Sequence, residues 1–193
     1  DFCLSRGLGD VYKRQYEGRS DWNKITELVE HLSATDVPVL GNGDIWSGQD
    51  AISMMEQTGC AGVVVGRGCL GRPWLFADLV SAFNGENNRV NPTLFEVRQI
   101  MLRHGQLLVE YFENEDRAMR DIRKHMAWYL KGFSVPREIR ASLGMVGSLQ
   151  EMEQLLSGVA DQPYPQEVGD APRGRTSHGR EVKLPDGWLD DPD

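Results

Sequence analysis

Two short apolar runs, Val37-Pro38-Val39-Leu40 and Ala61-Gly62-Val63-Val64-Val65, each lead straight into a glycine-rich turn, Gly41-Asn42-Gly43-Asp44 and Gly66-Arg67-Gly68. Between them, the stretch from Ser47 to Thr58 carries Ala51, Ile52, Met54 and Met55 at helical spacing, and Gly59 stops it. Strand, helix and strand in this order make a βαβ unit, whose two strands must lie parallel. Neither run alternates, as expected of strands covered on both faces. A helix is predicted before the unit, where Ser20 can cap a segment bearing Ile25, Leu28, Val29 and Leu32. Another is predicted after it, from Pro73 to Phe83, with the proline in the first turn.

Asn84 to Asn91 is a polar linker, and the character of the chain changes beyond it. Helices are predicted over Pro92–Tyr111, from Asp116 to about Lys131, and from about Ser148 to Leu156. After Asp161 the chain is rich in proline and glycine and reads as a disordered tail, with too little apolar surface to offset its ordering entropy. The first 15 residues show no clear period and resemble translated sequencing adaptor, so they are set apart as a non-native leader.

Two strands are too few for a comfortable open sheet. An eightfold βα-barrel needs about 250 residues, at about 25–30 for each unit. The expected fold class is therefore α/β: the C-terminal part of a (β/α)8 TIM barrel over residues 16–86, an all-α domain over 87–160, and a disordered tail over 161–193. Five or six units would lie upstream. The alternative is a small open α/β sheet complete in itself.

Both glycine turns fall at the C-terminal ends of predicted strands, the face on which barrels build their active sites and often hold a phosphate. Glycine lets backbone N–H groups approach an anion without a Cβ in the way. Arg67 can add a charge-assisted hydrogen bond. Either turn alone could be a tight strand-to-helix connection that merely needs glycine; two of them one βα unit apart favour phosphate. Asp44 is expected to contribute its backbone amide, or to cap the following turn, rather than to offer its carboxylate to an anion.

The formal charge is −8, which argues against nucleic-acid binding over the whole surface and leaves room only for a local basic patch. One exists. Between Arg117 and Arg140 there are seven Lys or Arg against two acids, Asp121 and Glu138. At 100° per residue, Arg117, Arg120, Lys124, Trp128 and Lys131 share one stripe, opposite Met119, Ile122, Met126, Tyr129, Leu130 and Phe133. Cations with one aromatic suit an RNA backbone and a stacked base. A solvated surface helix also places charge opposite an apolar face, although acids then usually balance the cations. His125 reads as a partly buried hydrogen-bonding group, and Trp128 as core or stacking platform. His31 and His104 read as structural. The three cysteines, Cys3, Cys60 and Cys69, follow no metal or disulfide spacing, so no metal is expected and a reduced, cytoplasmic setting fits. No run approaches the length of a membrane span.

Three motifs together resemble the tRNA-dihydrouridine synthases of bacterial type: Tyr16-x-Gly18-x-Ser20-Asp21-Trp22, Val39-x-Gly41-Asn42-Gly43-Asp44-Ile45, and Val65-Gly66-Arg67-Gly68-x-x-Gly71-Arg72-Pro73-Trp74. A looser match continues through Arg123-Lys124-His125-Met126-x-Trp128-Tyr129-x-Lys131-Gly132. The resemblance implies an FMN-containing barrel with a helical tRNA-binding domain, which reduces uridine in tRNA to 5,6-dihydrouridine with NADPH as reductant. It implies that Asn42, Gly43, Asp44, Gly66 and Arg67 hold the FMN phosphate, that tRNA is the partner, and that the intact protein is a monomer. The family's general acid is a cysteine in an Asn-Cys-Pro setting in the first half of the barrel. Neither that motif nor the flavin-contacting lysine and histidine occurs here, so no catalytic residue is assigned and the chain is expected to be inactive alone. Two other readings compete: an FMN- or phosphate-binding barrel oxidoreductase acting on a small substrate, and a noncatalytic helical module that binds protein.

Overall fold

The computed structural model describes residues 20–169 and 171–173. The stretch 1–15, read as a non-native leader, lies outside the described residues, as do residues 16–19 and 174–193. The element order is α1 (Asn23–Leu32), β1 (Leu40–Asn42), α2 (Gly48–Thr58), β2 (Gly62–Val64), a 3-10 turn (Arg67–Cys69), α3 (Leu75–Phe83), α4 (Leu94–Phe112), α5 (Glu115–Tyr129), α6 (Arg137–Leu143), α7 (Leu149–Ser157) and α8 (Gln166–Gly169). Among these residues, no helix is long and apolar enough to cross a membrane.

β1 and β2 pair in parallel, Leu40 opposite Gly62 and Asn42 opposite Val64. The α/β class and helix-rich character therefore hold; the described strands form a two-stranded sheet and no closed barrel. The expectation that both strand faces are covered fails. α2 covers one face, through buried Ala51 and Met54, whereas Leu40 and Val64 remain 55% and 46% exposed. The first strand also starts later than expected: Val37 is exposed, the pairing meets the chain at Val39 O, which accepts from the Ala61 amide at 2.8 Å, and the strand itself runs from Leu40.

Local chemistry sets the helix ends. Ser47 Oγ accepts from the Asp50 amide while Asp50 Oδ2 accepts from the Trp46 amide, which closes the N-terminus of α2. Gly59, at φ 71°, ends it by donating to Met55 O. Thr93 and Glu96 form a reciprocal capping box at α4. Asn114 caps α5 and Ser148 caps α7. Ser20 does not cap α1; its amide and hydroxyl both donate to Asp44 instead.

The buried side chains form two clusters. Ile45, Ala51, Met54, Cys60, Leu75 and Leu79 make the smaller one in the α/β part. The larger, around Val97, Met101, Met119, Ile122 and Met152, unites α4, α5 and α7 and takes Trp74 from the α/β part. α6 is an element the sequence reading missed: it offers only Ile139 and Leu143 as apolar periodicity. The stretch read as a disordered tail is structured at its start, over residues 161–169 and 171–173, and its remainder, 174–193, lies outside the described residues. Tyr164 is buried edge-on against Trp74 at 5.9 Å and near Phe133, α8 follows, and Arg173 is 3% exposed. Aromatic and guanidinium groups brought in from a polar, proline-containing stretch supply the contacts that its composition did not advertise.

Candidate functional site

The two glycine turns converge beyond the ends of the paired strands. Asn42 does not point away as a loop residue; it closes β1, and its Nδ2 donates to Val64 O at 2.9 Å, which ties the two turns at their base. Gly43, at φ 122°, and Asp44, at φ 52°, then turn the chain back. The Asp44 carboxylate accepts from the Ser20 amide at 2.7 Å and lies 3.8 Å from the Arg67 guanidinium. Trp22 Nε1 donates to Gly43 O and to Ser20 Oγ, so the N-terminal segment straps the first turn in place. Arg67 lies over the Trp46 ring, 5.6 Å from its centroid. The site thus brings together Gly43, Asp44 and Arg67 as expected by position. It adds Trp46, together with Ser20 and Trp22 of the first motif, which lie up to 24 residues away in the chain and stand outside the residues expected there.

Backbone approach at this point is uneven. A Cβ on Gly68 would sit 2.1 Å from Ile45 O, so the two turns touch through main chain there. A Cβ on Gly66 would meet nothing within 4 Å, so the second turn is bare and accessible at that residue. Bare glycine backbone beside an arginine is a donor set for an anion. Asp44 is already satisfied by Ser20 and Arg67, which lessens its repulsion of a second negative group.

The turn continues onto the helical part. Cys69 Sγ donates to Gly66 O and burial pushes its thiol up, so this cysteine braces the turn. Cys60 is core. Arg72 is 2% exposed and donates to Trp46 O at 2.9 Å and to Asp78 Oδ2 at 3.3 Å, while Asp78 Oδ1 accepts from the Val90 amide at 2.7 Å. Turn, α3 and linker are held by this one buried group. Gly71, at φ 61°, packs against the backbone of Trp128 and Tyr129, and Arg173 bridges Leu70 O at 3.0 Å and Trp128 O at 2.7 Å.

On α5, the stripe divides. Arg117, Arg120 and Lys124 are exposed together. Arg117 lies over Phe112 at 4.4 Å, Arg120 pairs with Asp116 at 2.6 Å and Lys124 with Asp121 at 2.6 Å. Asp116 stands one residue before the cation-rich window, which is why the window looked unbalanced. Lys131 leaves the stripe: its Nζ donates to Ala171 O and Pro172 O, and burial pushes its pKa down. Arg123 and Arg140, part of the same excess, also serve main-chain carbonyls, Val146 O for the first and Leu130, Phe133 and Val135 O for the second. Trp128 is half-buried, its ring 5.3 Å from that of His125.

His104 Nδ1 and Tyr129 Oη lie 3.1 Å apart, and the His104 and His125 rings meet edge-on at 4.9 Å. Burial, aided by His104 and the Lys124 ammonium and opposed by Asp121, pushes His125 from 6.5 down to about 4. His104 moves down too, chiefly through burial. The unfolded chain therefore takes up a proton on His125 below pH 6.5 that the folded chain refuses until about pH 4. Stability is full above that window and lost as pH falls through it. With the ring half in solvent, the loss is about 1 kcal/mol. Thermal midpoints taken from about pH 7 to about pH 4 are expected to fall less steeply for His125→Asn; identical profiles for the two proteins would refute the assignment.

Comparison with known proteins points one way. A family model described as dihydrouridine synthase matches residues 6–164, ten of which fall in the stretch set apart as a leader. The chain is similar to a protein named a probable tRNA-dihydrouridine synthase in Mycobacterium leprae, with 50% identity over 181 residues, 93% of this chain and 46% of that protein. A Synechocystis protein of similar name is 37% identical over 77% of this chain and 40% of its own length. The tRNA-dihydrouridine synthase B of Pasteurella multocida is 32% identical over 74% of this chain and 42% of its own. The chain thus spans about half the length of the curated relatives it matches.

Proposed function

We propose that this chain, which belongs to the dihydrouridine synthase family, is the C-terminal part of a flavin-dependent tRNA-dihydrouridine synthase, and that it supplies the phosphate anchor of the cofactor and part of the grip on tRNA. The observation that carries this reading is the joining of a glycine-and-arginine turn to a helix with an exposed cationic face, through contacts as close as Gly71 on the Trp128 backbone. A small-substrate oxidoreductase has no use for the second feature, and a protein-binding module has none for the first.

The residues present fit FMN at its phosphate end. Gly66 offers uncovered backbone and Arg67 offers charge, while Gly43 and Asp44 shape the facing turn and Asn42 holds the two turns together. FMN would supply hydride chemistry, drawn from NADPH and directed to a uracil ring. The protein's part here is to orient: Trp46 backs the Arg67 guanidinium and Ser20 holds the Asp44 carboxylate aside. The proton donor is assigned to the half of the protein that the relatives have and this chain does not span, since Cys60 is buried and the Cys69 thiol is engaged by Gly66 O. The chain alone is accordingly inactive in this reading, and a cytoplasmic setting follows from tRNA as substrate.

Arg117, Arg120 and Lys124 would meet the tRNA backbone. The carboxylate partners of Arg120 and Lys124 do not prevent it. Exposed pairs of this kind are worth about 0–1 kcal/mol, so a phosphate can displace them. The test is binding of the whole chain to unmodified tRNA across a salt series, beside a variant carrying Arg117→Gln, Arg120→Gln and Lys124→Gln. Each lost phosphate contact is expected to lower the slope of log K against log salt by about 0.9. A variant with the same slope and affinity as the parent would overturn the tRNA assignment of this face.

A further inference from the structure

We infer that the cleft between the turn after β2 and helices α4 and α5 is a subsite for one unpaired nucleobase of the bound RNA. The inference rests on the tRNA reading and adds to it a place where a base, rather than the backbone, is held.

The cleft has a volume of about 620 Å³, within the roughly 300–1,000 Å³ range of small-ligand sites. Its surface is mainly apolar: Leu70 and Pro73 come from the turn, Ile100 and Leu107 from α4. Polar groups are few. Gln99 and Arg103 of α4 and His125 of α5 line it, and His104 is fixed by its contact with Tyr129 Oη. Flat apolar walls with a few edge donors and acceptors suit a nucleobase. Phosphate would meet one cation, Arg103, which is already paired with Glu110 at 3.1 Å, and a purely aliphatic ligand would leave the His125 ring and the Gln99 amide unmatched.

Position narrows the choice further. One wall begins at Cys69, directly after the Gly66–Gly68 turn. The other wall carries His125, which follows the exposed Lys124 in α5. The ring of His104 on α4 meets that of His125 on α5 at 4.9 Å, and Trp128, further along α5, lies 5.3 Å from His125. A strand whose phosphates lie on Arg120 and Lys124 therefore has aromatic faces beside it on which one base can turn in and stack. Such stacking is worth about tenfold in affinity per base and tolerates any base.

The experiment uses the whole chain and two probes, a single-stranded oligouridylate of about five nucleotides and the same backbone without bases, followed by fluorescence anisotropy at low salt. The parent is expected to bind the first about tenfold more tightly than the second. Leu107→Trp narrows the cleft without touching a charge, and Leu107 is already 46% exposed, so a larger ring can be accommodated. That variant is expected to lose the preference for the base-bearing strand and to keep the salt dependence. Should circular dichroism show it misfolded, His125→Ala carries the same expectation. A parent that binds both strands equally, or variants that keep the full preference, would overturn the subsite while leaving the tRNA reading intact. A parent that binds neither strand nor tRNA would remove both.

Discussion

Arg72→Met is expected to destabilise the α/β part by about 3–5 kcal/mol, the range for breaking a buried ion pair from one side. Arg72 and Asp78 are 2% and 4% exposed as side chains, so neither has water to fall back on. The guanidinium also carries Trp46 O, and Asp78 carries the Val90 amide. Losing Arg72 leaves a desolvated carboxylate at the base of α3 and a free carbonyl in the turn that follows β1. Urea denaturation reads the loss, and the double replacement with Asp78→Leu is expected to recover part of it, because the stranded charge goes too. A loss below about 1 kcal/mol for Arg72→Met would show that the pair is not what joins these segments.

Gly68→Ala acts on the candidate site itself. The added methyl would stand 2.1 Å from Ile45 O, a main-chain atom that no side-chain rotation can move away. The turns after β1 and β2 must then separate, and the Asp44–Arg67 approach of 3.8 Å separates with them. Overpacking of this kind costs about 1–3 kcal/mol and occasionally more. FMN binding by the whole chain, followed by quenching of flavin fluorescence, is expected to weaken at least about tenfold, the equivalent of about 1.4 kcal/mol in lost geometry. Gly66→Ala is the companion. Its methyl meets no protein atom, so it is expected to disturb packing less and yet to obstruct an anion seated on the second turn. Unchanged flavin binding by both variants would remove the phosphate assignment from these turns.

Several elements were legible from spacing because short-range physics decides them. Ser47 and Asp50 cap α2 and Gly59 ends it as their identities and intervals imply. The apolar face of α5, from Met119 through Ile122 and Met126 to Tyr129, is buried as its period predicts. Two of the misreadings share one cause, a partner far along the chain. Ser20 has the composition of a helix cap, but Asp44, 24 residues on, competes for it and wins. Tyr164 lies in a stretch poor in apolar residues, but a single aromatic suffices when Trp74 and Phe133 already form a receptive edge. α6 is too short for its period to show.

The basic helix draws the line most clearly. Sequence alone determined that Arg117, Arg120, Lys124, Trp128 and Lys131 share one side of a helix, because the 3.6-residue period leaves no alternative once the helix forms. Only the tertiary structure decided which of them still face solvent. Lys131 is drawn to carbonyls 40 and 41 residues further along, and Arg123 to one 23 residues on, whereas Arg117, Arg120 and Lys124 keep partners within a turn or so of their own position. A carbonyl that would otherwise be buried without a donor captures any cation within reach. Which cations are within reach depends on how distant segments pack, and spacing along one helix does not contain that information.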